Sequence, residues 1–348
     1  MKFKDYWWKI LGVLLIAYSF VAGLLTPLAP GIVKVDPVRS RSGGTVQMSV
    51  VGYNSHYNQA AVDAWLKLDQ NRSISASEIA VQDARHLTAT FALPTSFPGT
   101  DTINVLSLVL YNEIDGHSIL PGAIFITGND GGGNDSLWSD DIIQVDEASG
   151  FHFPFRNILL ETIRNTFFHV QLWMAMMFIF TVSLIHSIAF LRKRNPLSDH
   201  KAAAYASAGL LLGLLGICTG AIWAKNSWGA YWSFDVKQNM AAIAMLIYAA
   251  YFILRSSIAD RDVARRFSAV YNIFAFLMLV PLLYIIPRMT ASLHPGSGGN
   301  PAFGSEDLDN TMRMVFYPAI IGWILFSSWI ANVYWRYLQL QENLESQL

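Results

Sequence analysis

The chain of 348 residues contains a single cysteine, Cys218, and it sits inside an apolar run. A lone thiol excludes an internal disulfide, a CxxC redox pair, a zinc knuckle and the CxxCH attachment site of a c-type cytochrome. Any metal chemistry must then rest mainly on histidine, methionine or oxygen ligands. Charge is also scarce: 14% of residues are Asp, Glu, Lys or Arg, and the net charge is -1. No basic stretch alternates with aromatics, which excludes a nucleic-acid surface. The long apolar spans carry no charge in their interiors, so a proton or ion path through a bilayer has no obvious carriers.

What the chain has in abundance is apolar surface, 53% of its residues, with a positive mean hydropathy. This composition points to a membrane protein. Lys2, Lys4 and Lys9 precede an uncharged run from Ile10 to about Val33, long enough to cross a hydrocarbon core of about 30 Å. A cleaved signal peptide shares that pattern, but no convincing A-x-A site follows, which favours a retained helix over residues 1–35. From Asp36 to Asp130 polar, alternating runs replace the apolar one: Thr45 to Val51, Leu87 to Leu93, Ile103 to Tyr111 and Ala123 to Thr127. Ser42-Gly43-Gly44 and Pro98-Gly99 punctuate them. They predict a disulfide-free, sandwich-like β domain over 36–130, in which His56, His86 and His117 are scattered surface histidines. A linker containing Gly131-Gly132-Gly133 follows, over 131–154.

Beyond Phe151 the pattern becomes helical, with Glu161 and Arg164 on an approach segment. Five further spans are expected: Thr166 to Leu191, Ala202 to Ala224, Met240 to Leu254, Phe267 to Pro287 and Met314 to Trp335. The third of these is short unless it begins around Phe234 or earlier. The fold class is therefore mainly α, a six-helix polytopic membrane protein with an inserted extracytoplasmic β domain, a membrane domain over 155–340 and a cytoplasmic tail over 341–348. Arg192, Lys193, Arg194 and Lys201, then Arg255, Arg261, Arg265 and Arg266, then Arg336 mark the cytoplasmic loops. Both termini fall on that side. The β domain, the loop from Arg288 to Asn310 and an aromatic segment fall on the other.

That segment is Trp228-Gly229-Ala230-Tyr231-Trp232-Ser233-Phe234-Asp235, with Trp223 before it. An interfacial aromatic belt is one reading. If the segment is helical, Trp228, Tyr231, Trp232 and Asp235 share one face, giving a flat aromatic shelf ending in an acceptor. His169, near the outer end of the second span, and His294, in the last external loop, fall on the same side. Two neutral imidazoles flanking aromatic rings are what a haem needs, as axial ligands for iron and faces for the porphyrin. Lys225 and Arg288 suit haem propionates or simply snorkel at span ends. Met289 is a conceivable iron ligand, though packing is the commoner role of a methionine. His186, His200 and His152 lie away from this surface or ahead of the helix.

The run Thr219-Gly220-Ala221-Ile222-Trp223-Ala224-Lys225 leading into that segment resembles the tryptophan-rich WWD signature of the haem-handling proteins of cytochrome c biogenesis, and is most similar to the CcmC type. The likeness covers the six spans, with Tyr231 and Phe234 where the family tends to have tryptophan. It implies a haem b held at the outer face of the bacterial inner membrane against Trp223, Trp228, Tyr231, Trp232, Phe234 and Asp235, with Arg288 nearby. His169, in Asn165-Thr166-Phe167-Phe168-His169-Val170, and His294, in Ser292-Leu293-His294, match the family's two histidine motifs. It further implies delivery of haem to the chaperone CcmE, with a CcmD-like helper and the CcmA and CcmB transporter subunits as partners, rather than conventional catalysis. A CcsA-type cytochrome c haem synthase is the alternative, although that group usually has more spans and an additional intramembrane histidine pair. The β domain is an insertion that short family members lack.

Overall fold

The computed structural model describes residues 6–98, 102–128, 137–138, 151–294 and 308–347. The expected glycine linker and Gly99 lie outside these residues. The chain divides into two compact units, one comprising Met1–Leu25 with Thr162–Leu348 and the other Thr26–Glu161.

The second unit is two β-sheets around one core. Strands β1 (Gly31–Asp36), β3 (Thr45–Tyr53), β7 (His86–Ala92) and β6 (Glu78–Val81) form one sheet in that order. The other runs β2 (Arg39–Arg41), β9 (Gly116–Thr127), β8 (Ile103–Asn112), β4 (Asp63–Lys67), β5 (Ser73–Ser75). Alternation decides which face is buried: Val46, Met48 and Val50 point inward from β3 and Leu106, Leu108 and Leu110 from β8, and all six join the same apolar cluster. This is the predicted sandwich. The apolar run that begins at Ile10 does not remain helical to Val33. Pro27 and Pro30 follow the end of α1 (Trp7–Leu25), and Gly31, Ile32 and Val33 belong to β1, paired with β3.

The first unit contains six helices long and apolar enough to cross a membrane: Trp7–Leu25, Leu160–Lys193, Pro196–Trp228, Val236–Ser257, Arg261–Met289 and Asn310–Glu345. Within them the regular helices are α2 (Gln171–Lys193), α3 (Pro196–Trp228), α4 (Val236–Ser257), α5 (Arg261–Val280), α6 (Ile286–Met289) and α7 (Asn310–Glu345). The approach to α2 is a 3-10 turn over Leu160–Asn165, and the Arg164 guanidinium donates to the Gly23 carbonyl at 2.9 Å. The last helix continues to Glu345, through most of the tail expected to follow residue 340. Local chemistry sets the starts: Asn195, Asp260 and Asp309 accept backbone N–H bonds as N-caps of α3, α5 and α7, and Pro196 occupies the first turn of α3.

Two sets of glycines let helices touch closely. Gly209, Gly213, Gly216 and Gly220 line the face of α3 against Phe180, Met176, Trp173 and His169 of the second span. Gly12 of α1 and Gly322 of α7 bring those two helices together. At the opposite end of the bundle from His169, Arg255 grips Asp199 through both guanidinium nitrogens at 2.7 and 2.5 Å. Arg265 reaches Glu342 at 2.5 and 2.6 Å and approaches Asp199 at 3.4 Å, and His200 pairs with Glu342 at 2.7 Å. Arg255 and Arg265, which the sequence offers as loop charges, therefore tie the ends of four helices together.

Candidate functional site

Between the 3-10 turn and α2 the backbone opens into one π-helical turn, Thr166–Val170, which carries His169. Such a turn shifts the register of the side chains that follow and recurs at functional sites. His169 Nδ1 lies 3.1 Å from Thr219 Oγ1. The Thr219 hydroxyl proton is directed to a backbone carbonyl, Leu215 at 2.9 Å or Gly216 at 3.1 Å, so its oxygen accepts from Nδ1–H. The imidazole then carries its lone pair on Nε2. The Gly216 carbonyl faces the same ring. A Cβ on Gly220 would stand 2.7 Å from His169 Cε1, so only glycine leaves the ring its place. Trp173 and Trp223 meet the imidazole edge-on, with centroids at 6.2 and 5.9 Å, and Trp223 Nε1 donates to Thr162 at 3.3 Å.

The aromatic segment is not a helix, which corrects the expectation of a shelf on one helical face. Gly229, at φ 81°, closes α3, and Asp235 opens α4 as its N-cap, accepting from Lys237 N at 2.9 Å. The residues between them form an irregular connection, and α4 starts at Val236, just after it. Phe234 adopts a left-handed φ of 56°, rare for an aromatic residue, and Asn239 Nδ2 holds its carbonyl at 2.9 Å. Tyr231 and Phe234 are 61% and 77% exposed, and Trp232 is half-buried.

Asp235 does more than end the shelf. Its carboxylate accepts from Leu293 N at 2.8 Å, from Ser292 Oγ at 3.0 Å and from His294 Nδ1 at 2.8 Å. Burial raises this carboxyl. The N–H bonds from Leu293 and Lys237, the facing His294 ring and the Ser292 hydroxyl outweigh it and hold the group below the ordinary carboxylate value. Burial in turn pushes His294 down, against the pull of Asp235, so the ring is neutral near pH 7 with its lone pair on Nε2. Trp228 meets this imidazole edge-on at 4.7 Å.

The structure brings His169, His294, Trp223, Trp228 and Asp235 into one region, where the two imidazoles lie within electrostatic reach of each other. Lys225 turns to the Gly229 carbonyl at 2.9 Å and lies over the Tyr231 ring at 5.8 Å. Arg288 and Met289 are exposed at the end of α6. His186 lies about 25 Å further along the second span from His169, beside Tyr205. Thr219, Gly220, Ser292 and Trp173 carry no assigned role in the sequence reading. The signal for the missed break in the segment was present: glycine before, and aspartate just ahead of an apolar run.

The model of the family described as heme exporter protein C matches residues 152–347, leaving out α1 and the sandwich. The chain is 26% identical over 164 residues to heme exporter protein C of Paracoccus denitrificans, covering 47% of this chain and 68% of that one. It is 31% identical over 137 residues to the Bradyrhizobium diazoefficiens protein of the same name, covering 39% of this chain and about half, 52%, of that one. A shorter stretch of 64 residues is 45% identical to cytochrome c biogenesis protein CcsA of a Synechococcus strain, 18% of this chain and 21% of that one. The matched residues contain both histidines, the tryptophan segment and five of the six candidate spans, and on this ground the chain belongs to the heme exporter protein C family.

Proposed function

We propose that this protein handles haem for cytochrome c maturation, holding it between His169 and His294 at the extracytoplasmic face and presenting it to a chaperone of the CcmE type. The observation that carries the reading is the matched pair of imidazoles, each donating Nδ1–H to a protein acceptor so that Nε2 is the ligating nitrogen. The donor set fits an iron porphyrin: two neutral imidazoles, tryptophan edges beside both, and apolar ring surface exposed at Tyr231 and Phe234. A haem iron bound here would take its nitrogen ligands from His169 and His294. This chain's part is to orient the imidazoles, fix their tautomers and flank the ring with aromatic surface. Exposed Arg288 offers a cation for a propionate.

The membrane orientation follows from charge. Arg192, Lys193 and Arg194, the Arg255 to Arg266 group and Arg336 sit at the helix ends away from His169, which favours that end as cytoplasmic and the haem end, with the sandwich, as periplasmic. The likeness to CcsA supports a synthase as the second reading. Apart from His169, the second span carries only His186, two turns from its far end, so an additional intramembrane pair is lacking among the described residues. The test is purification from haem-replete cells together with candidate chaperone and synthase partners, scoring haem on each. A low-spin Soret band on this chain and haem passing to the chaperone support delivery. Haem passing straight to CxxCH proteins supports the synthase, and absence of a Soret band contradicts both.

A further inference from the structure

The two imidazoles are oriented by acceptors of different chemistry. His294 donates to a buried carboxylate at 2.8 Å, and that carboxylate is fixed by three further donors, Leu293 N, Lys237 N and Ser292 Oγ. His169 donates to a neutral hydroxyl at 3.1 Å, and the neighbouring Gly216 carbonyl is also neutral. A hydrogen bond to an ionised acceptor is shorter and about twice as strong as one between neutral groups. It also draws the Nδ1 proton away from the ring, which makes Nε2 a stronger electron donor to a metal. The acceptors Thr219 and Asp235 reach the imidazoles on the Nδ1 side and act through them, so both are positioning residues.

We infer that the two ligands are built unequal: His294, held by Asp235, is the anchoring ligand, and His169, held by Thr219, is the one that yields when another ligand competes for the iron. This rests on the bis-histidine reading above and adds an order of exchange to it. In that exchange the bond to His169 Nε2 breaks and a bond to the incoming donor forms, with no change in oxidation state. The asymmetry suits a delivery protein. One side keeps hold while the other opens to a recipient.

Carbon monoxide on dithionite-reduced, haem-loaded protein reads the order directly, because it displaces one axial imidazole and its stretching frequency reports the ligand that remains. The expected result is that wild type and His169→Gly give the same CO frequency, with His294 opposite in both, while His294→Gly gives a different one. A wild-type frequency matching His294→Gly instead would overturn the assignment. Photolysis of the wild-type adduct needs no variant: the iron–histidine stretch of the transient five-coordinate form should be raised, as for a carboxylate-bonded imidazole, and a value in the range of an imidazole bonded to a neutral group overturns the proposal. Asp235→Asn should speed haem loss by about 10- to 100-fold, and Thr219→Val by less than about tenfold, with Thr219→Ser restoring wild-type behaviour. Equal effects of Asp235→Asn and Thr219→Val contradict the inequality. A wild-type protein with no low-spin spectrum before CO is added would sink the bis-histidine reading, and this proposal with it.

Discussion

Gly220 offers a perturbation whose two energetic consequences have opposite sign. In the interior of α3, Gly220→Ala gains about 1 kcal/mol of helix propensity. The new methyl group would stand 2.7 Å from His169 Cε1, and ordinary contact begins at 3.4 Å, so the ring must retreat by roughly 0.7 Å. Overpacking of this kind costs about 1–3 kcal/mol, so the two effects nearly offset each other in global stability. They do not cancel at the site. The Nδ1 bond to Thr219 is already 3.1 Å long, and a ligand held to about 0.5 Å tolerance cannot absorb the shift. The expected outcome is a detergent-solubilised protein with nearly unchanged thermal unfolding and haem retention reduced by about tenfold or more, since loss of an orienting partner typically costs 10- to 100-fold. The assay is the haem-to-protein ratio and Soret spectrum beside a melting curve. A folded Gly220→Ala protein with wild-type haem content and spectrum would refute the reasoning.

Phe234→Gly should relieve left-handed backbone strain and raise stability by about 1 kcal/mol while weakening haem retention through loss of an exposed ring; a melting curve and a haem assay that move in the same direction would contradict this. Asp199→Ala leaves Arg255 and Arg265 without their shared carboxylate, and with Asp199 only 2% exposed the expected loss is about 3–5 kcal/mol of stability, read by unfolding in detergent. Phe91→Ala should cost the sandwich about 3–5 kcal/mol, measured by limited proteolysis of the full chain. Deleting residues 36–130 altogether should leave the haem spectrum in place in a protein that still inserts stably, because no haem-ligating group is assigned to that unit.

The spans and the alternating strands were legible because each rests on a period that the sequence repeats: uncharged runs for the six helices, and inward valines and leucines for β3 and β8. β1 was hidden because Ile32 and Val33 continue the apolar run of α1, and hydrophobicity does not distinguish a span from a buried strand. The aromatic shelf failed for a local reason. Ring spacing at i, i+3, i+4 and i+7 invites a helix, but Gly229 in the left-handed region and Asp235 as a cap break it. Asp235 was singled out as an acceptor, yet its partners Ser292, Leu293 and His294 lie more than fifty residues away, and no local pattern joins them. Thr219 and Gly220 were visible only as letters in the tryptophan-rich run. Their roles depend on how closely α3 approaches the π turn.

The central claim is that His169 and His294 supply the two axial nitrogens, and cavity variants test it most directly. Replacing either by glycine removes one imidazole and leaves space that free imidazole can enter. His169→Gly and His294→Gly should each lose the low-spin spectrum of the wild-type protein and regain it when imidazole is added. Both variants binding haem with an unchanged spectrum and no response to imidazole would contradict it.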